Sequence, residues 1–249
     1  MNEIPKSHPR YDSLKTRERL SNSVIKGITH HTGLIAHGRG EAFDYLIGEK
    51  TVKYALEAEK ISAAALLLAK NPVISINGNV AALNPKDCVN LSYEIPAKLE
   101  INLFHRTNDR VEKIYDELKK NGADKIYGKK TDAKIPLLNH DRGLCDKDGI
   151  YSADVVLVPL EDGDRCMALK KMGKIVIAID LNPLSRTART ADITIIDNVI
   201  RAIPNITNWV KNFKGYDNSL LRDLVDKWDN NLMLKKMLNY ISKRLNSMF

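Results

Sequence analysis

The stretch ADVVLVPLEDGDRCMALKKMGKIVIAIDLNPLSRTARTADITIIDNV, Ala153–Val199, decides the fold. Three short β-branched runs lie in it, Val155–Val158, Ile175–Ile179 and Ile193–Ile196, and a helical segment, Gly163–Met172, separates the first two. Strands this short and this apolar have no polar face to turn to water. Separated by helices, they read as parallel strands of a sheet covered on both sides. The same texture recurs upstream in Val73–Ile76, Leu99–Leu103 and Lys125–Tyr127, with a helix over Arg110–Asn121 capped by Asn108. The expected class is α/β, with a mostly parallel sheet.

The flanks read as helices. Tyr11–Lys26 has a helical pattern and Gly27 suits the position just past its end. A glycine-rich stretch, LIAHGRGEAFDYLIG, leads to a long alanine-rich helix over Thr51–Lys70, closed by Asn71-Pro72. Leu220–Leu245 is amphipathic and is expected to pack on the body or on a second subunit. Residues 1–249 therefore read as one α/β domain: a helical segment over 1–70, the sheet core over 71–210 and a helical tail over 211–249.

Composition removes several classes. A hydrophobic fraction of 43% with 28% charged residues supports an ordinary core and excludes global disorder. The 39 basic and 31 acidic residues give a net charge of +8, yet no three Lys or Arg residues are consecutive. Basic residues spread among acids describe a solvated surface, with a few arginines left over for phosphates, rather than a nucleic-acid module. The three cysteines form no CxxC pair, which argues against a disulfide framework or a structural zinc. Ile61–Ala69 is too short to cross a bilayer, and the charged first twenty residues lack an apolar signal core. The expected location is cytoplasmic.

In an open parallel sheet, ligands bind beyond the carboxyl ends of the strands. Four polar constellations fall there. DLNPLSRTAR follows Ile175–Ile179: Asp180 can accept both hydroxyls of a ribose, Asn182 can read a sugar or base edge, and Arg186 and Thr187 can donate to phosphate. The plainer alternative makes Asp180 a turn cap. Asn77, Asn79, His105 and Arg106, at two other strand ends, could bind a phosphorylated acid, although a lone histidine more often has a structural role. The turn PLEDGDR crowds Glu161, Asp162 and Asp164, which need a cation such as Mg²⁺ or a substrate ammonium, or else simply start a helix. Gly38-Arg39-Gly40 reads as the opening of a short helix whose backbone approaches an anion, or as a tight turn. It is not a complete dinucleotide fingerprint, and His30-His31 reads as loop.

Together the segments IPKSHPRY, TRERL, GLIAHGRGEAFDYLIGE, NPVISINGNVAAL, INLFHRT, ADVVLVPLEDGDR, AIDLNPLSRTAR and ADITIIDNVIRAIPN resemble the archaeal phosphopantothenate synthetases, the 4-phosphopantoate–β-alanine ligases of coenzyme A biosynthesis. The resemblance spans Ile4–Asn208. It implies a Rossmann-like fold, a homodimer, and an ATP-dependent amide bond between 4-phosphopantoate and β-alanine with release of AMP and diphosphate, using Mg²⁺. Carried over by motif, the ATP contacts fall on Arg17, Arg39, Asp180, Leu181, Asn182, Arg186, Thr187, Asn198 and Val199. It names no general base, so His105, Arg106, Asn77 and Asn79 stand as catalytic candidates. Two other classes compete: a Rossmann enzyme using NAD or S-adenosylmethionine, and a basic nucleic-acid-binding module. The incomplete glycine fingerprint weighs against NAD, and the lack of basic runs and aromatic platforms weighs against the module.

Overall fold

The computed structural model describes residues 4–160 and 162–248. Two short 3-10 turns apart, its elements in chain order are α1 (Tyr11–Ile25), α2 (His31–Ile47), α3 (Lys53–Leu68), β1 (Pro72–Ile76), α4 (Gly78–Leu83), α5 (Pro85–Glu94), β2 (Lys98–Ile101), α6 (Asn108–Lys120), β3 (Ile126–Tyr127), β4 (Ala133–Lys134), β5 (Leu144–Cys145), β6 (Val155–Pro159), α7 (Gly163–Lys171), β7 (Ile175–Ile179), α8 (Arg186–Thr190), β8 (Ile193–Ile195), α9 (Val199–Phe213), α10 (Asn218–Asp226) and α11 (Asn230–Asn246).

Six strands form one all-parallel sheet in the order β3-β2-β1-β6-β7-β8. Omitting the small antiparallel β4–β5 ladder, this is the Rossmann order. The alternation of side chains builds two cores. On β6 and β7, Val155, Leu157, Ile177 and Ile179 face the core shared with α3, α5 and α9, while Val156, Val158, Val176 and Ala178 face the one under α7. Every residue of β1 and β6 is buried, as strands covered on both faces require.

All six expected strands are present, with ends shifted by a residue or two. The helices differ in more instructive ways. α6 is capped by Thr107, whose hydroxyl accepts the Arg110 N–H at 3.2 Å, because Asn108 is already helical. The tail is two helices, and Asp229 caps the second by accepting the Leu232 N–H at 2.9 Å. It packs back on the body: α10 lies on α3, and α11 on α2. Asn230 covers the β8 edge, accepting the Thr194 N–H at 2.8 Å and donating to the Ala188 and Ala191 carbonyls.

The largest correction concerns the glycine-rich stretch. Gly38-Arg39-Gly40 lies inside α2, and His30-His31 begins that helix rather than a loop. Helix-interior N–H groups are already bonded within the helix, so these glycines cannot cradle an anion through their backbone. Gly40 instead faces Leu181, whose Cδ1 would sit 3.6 Å from an added Cβ, an ordinary contact distance. Among the described residues no helix is long and apolar enough to cross a membrane.

Candidate active site

The chain reverses direction across the sheet between β1 and β6, and the ends of these neighbours are tied together. Asn77 donates through Nδ2 to the carbonyls of Pro159 (2.9 Å) and Leu160 (3.3 Å), and its Oδ1 caps α4 by accepting the Val80 N–H at 3.0 Å. Leu160 adopts a left-handed φ of 55°, an uncommon conformation for a leucine. The adjacent Gly78 has no room for a side chain, since a Cβ would lie 2.5 Å from the Ile28 carbonyl oxygen. The segment before α2 is thus pressed onto the mouth of this crevice.

Beyond β7, Asp180 is half-buried. It accepts the Ser185 hydroxyl at 2.5 Å and the Asn182 N–H at 2.9 Å. Burial raises its pKa above the ordinary carboxylate value against these bonds and the charge of Arg39 on α2. Leu181 is buried under Gly40, and Asn182 Oδ1 accepts the Leu184 N–H at 2.9 Å. Arg186 is exposed and its side chain lies over Gly163 at the start of α7, while Thr187 is buried. Arg39, Asp180, Leu181 and Asn182 therefore gather on one side of the crevice, and Arg186 spans toward β6.

Arg17 and Asn198 approach from other elements. Arg17 donates through Nε to both oxygens of Glu41 at 2.9 Å, fixing α1 to α2 two residues past Arg39. Asn198 caps α9 by accepting the Ile200 N–H at 3.3 Å, and its Nδ2 donates to Asp44 at 2.9 Å. Its amide is engaged at both ends and Val199 is buried. Arg201 holds the turn through Asp44 and Asp197, at 2.6 and 2.5 Å.

The acidic turn after β6 finds its partners inside the protein. Asp162 pairs with Arg142 (3.3 Å) and Asp164 with His140 (3.0 Å); Glu161 lies outside the described residues. Both partners come from the segment that carries the β4–β5 ladder, and nothing in the local sequence around β6 signals them. Despite the cost of its partial burial, the Asp164 pKa is lowered, with the His140 hydrogen bond as the main opposing cause. Among the described residues no group of three or more His, Cys, Asp or Glu could hold a metal ion. Since both carboxylates are already engaged, Asp162 by the Arg142 guanidinium and Asp164 by the His140 ring, the turn is not a ready-made Mg²⁺ cage.

The β2 end divides the remaining candidates. Arg106 donates to the Gly128 carbonyl at 2.5 Å, toward the β3 edge, and burial lowers its pKa. Asn79 donates to the Gly33 carbonyl at 2.9 Å, holding α2. His105 is exposed, and its ring stacks on His30 at 4.0 Å.

A parallel sheet in Rossmann order, with polar turns collected beyond the ends of β1, β2, β6, β7 and β8, defines a doubly wound α/β protein with a candidate ligand site at the switch point. The profile of the family described as phosphopantothenate/pantothenate synthetase matches residues 54–244, and the chain belongs to that family. It is 54% identical over 246 residues to the 4-phosphopantoate–β-alanine ligase of Thermococcus onnurineus, covering 98% of this chain and 94% of the relative. Its identity to the ligase of the same name from Methanosarcina mazei is 52% over 248 residues, covering 100% and 98%.

Proposed function

We propose that this chain is an ATP-dependent ligase that joins 4-phosphopantoate to β-alanine, a step of coenzyme A biosynthesis. The observation that carries this reading is identity above 50% along nearly the whole length of ligases of that name. A carboxylate is a poor electrophile and must first be activated. In the proposed route its oxygen attacks the α-phosphorus of ATP and diphosphate leaves. The amine then attacks the acyl carbon, AMP leaves, and the former ammonium nitrogen has lost two protons. No protein nucleophile is needed.

The work of the protein is to bring a carboxylate against a triphosphate, which requires positive charge. Arg17, Arg39 and Arg186 supply it in this reading, Asp180 takes the ribose, and Leu181, Asn182, Thr187, Asn198 and Val199 complete the nucleotide contacts. Mg²⁺ enters as part of the nucleotide substrate. The ammonium of β-alanine is assigned to the turn of Asp162 and Asp164, whose side chains are half exposed beside their partners. Asp164→Asn should raise the KM for β-alanine while that for ATP stays near normal; a raised Mg²⁺ requirement instead would point to a metal role.

The reading is tested by incubating protein with ATP, Mg²⁺, 4-phosphopantoate and β-alanine and identifying the products. Amide with equimolar AMP and diphosphate is expected. ADP and orthophosphate in step with amide would replace the adenylate by an acyl phosphate, and no amide would end the reading. The working assembly is taken to be a homodimer, for which light scattering should report twice the chain mass of 28.0 kDa.

A further inference from the structure

A buried acid stands behind the turn that follows β8. Glu59, on α3, is fully buried, and among the described residues neither of its carboxyl oxygens has a hydrogen-bond partner. α3 packs along α9, and Glu59 has as neighbours Asp197, at the end of β8, and Asn205, on α9. Asp197 is itself buried and already engaged. It accepts the Thr51 hydroxyl at 2.5 Å, the Asn198 N–H at 2.7 Å and the Arg201 guanidinium at 2.5 and 2.8 Å. The same guanidinium donates to the buried Asp44 on α2 at 2.6 Å. Three buried carboxyl groups thus gather around one guanidinium.

Charge decides the state of Glu59. Arg201 already serves two aspartates, so a third ionised carboxylate here would be a buried charge without compensation. The neutral acid escapes that cost and gains a donor, since a protonated carboxyl carries an O–H that the Asp197 carboxylate can accept. Burial first, and then the charge of Asp197, push its pKa up to about 9 from 4.5, while the Asn205 amide and Arg201 work the other way. Of the other elements packed on α3, α10 turns Arg222, Asp223 and Asp226 to solvent, and α11 shares the apolar cluster of Ala55, Met237 and Ile241.

We propose that Glu59 is a positioning residue for the nucleotide, bracing the turn of Asp197, Asn198 and Val199 from behind through the Asp197 carboxylate. The inference rests on the proposed assignment of Asn198 and Val199 to ATP. Asp197 is the joint, because one of its oxygens takes both the Asn198 N–H and the Arg201 guanidinium. Ionising Glu59 sets two carboxylates against each other. Asp197 then gives way, and with it the backbone of Asn198 and the guanidinium that also holds Asp44, to which Asn198 Nδ2 donates at 2.9 Å. The neutral acid is therefore the form that keeps the turn in place.

Calorimetric titration of ATP with Mg²⁺ into the protein tests this without turnover. A group that must stay protonated loses its effect as pH rises through its folded-state pKa, so the wild-type Kd should rise about tenfold from about pH 8 to about pH 10. In Glu59→Gln, whose amide imitates the neutral acid, Kd should stay within about twofold of the wild-type value at the lower pH. Glu59→Met, which fills the space without a donor, should raise Kd about tenfold already at that pH. A flat wild type, an equal rise in the glutamine variant, or a methionine variant that binds normally overturns the inference. Infrared difference spectra of wild type against Glu59→Gln at neutral pH give a second readout. The stretch of a protonated carboxyl is expected, and a carboxylate band in its place overturns the inference as well. A wild type that binds ATP with this pH dependence yet forms no amide loses only the ligase reading, whereas one that binds no ATP overturns both.

Discussion

Asp180 shows how much one carboxylate can be asked to do. Both its oxygens accept bonds from its own turn, which is the plain capping role, yet an ionised carboxylate retains further acceptor capacity. Burial raises its pKa, and the bonds from Ser185 and Asn182 and the charge of Arg39 work against that, toward the ionised form that a ribose needs. Asp180→Asn should therefore raise the KM for ATP by about ten- to a hundredfold, the scale of one lost charge-assisted bond. Wild type should also discriminate against 2′-deoxy-ATP, and the variant should do so less. Equal use of the two nucleotides by wild type would leave Asp180 as a turn cap. Other single residues are legible only in part. A histidine pair can be seen in the sequence, but not that His30 is a helix cap stacked on a residue 75 positions away. His140 and Arg142 gave no signal, because their acidic partners sit 20 or more residues further along the chain.

Among the elements, the strands announce themselves because two-sided burial forces continuous β-branched runs. α2 does not, since its sequence combines three glycines with a starting His pair, and local propensity disfavours a helix there. Its packing wins instead: Gly40 meets Leu181, and Gly33 meets Asn79. Gly38 on α2 and Gly78 on α4 should respond differently to substitution. Around Gly38 nothing lies within 4 Å of an added Cβ, so Gly38→Ala should stabilise by about 0.5–1 kcal/mol through helix propensity. That corresponds to a rise in Tm of roughly 2 °C. Gly78→Ala, at the other extreme, pushes against a backbone carbonyl and should cost about 1–3 kcal/mol. Thermal melts of both variants check the contrast; a Gly78→Ala protein as stable as wild type would mean that the 28–33 segment can lift away.

At the scale of the whole molecule, the helical segment, sheet core and tail are proposed to unfold as one unit, because α2, α3 and α11 share a core with the β8 region. Calorimetry should give a single transition, and two separated peaks would divide the domain. Stability should also depend on a group far from any ligand. Glu100 on β2 is fully buried, accepting the N–H groups of Asp146 (3.0 Å) and Ile150 (2.5 Å), and burial pushes its pKa up to about 7 from 4.5. A raised carboxyl pKa means the folded state binds the extra proton, so its stabilising contribution is complete below pH 4.5 and is lost as pH rises through about 7. A shift of that size corresponds to about 3 kcal/mol. Glu100→Gln should flatten the fall in Tm across that window, even if the variant melts lower throughout; an unchanged slope would assign the pH dependence elsewhere. The bond from Asn77 to the two carbonyls after β6 has a further consequence. It fastens the ends of β1 and β6 together across the switch point, so the floor of the crevice is expected to be its fixed part. Ligand exchange is then expected at the roof, where an ion pair from Arg17 to Glu41 holds α2 to α1. Raised ionic strength, by loosening that pair, should quicken exchange of bound nucleotide while leaving amide protection in β1 and β6 untouched.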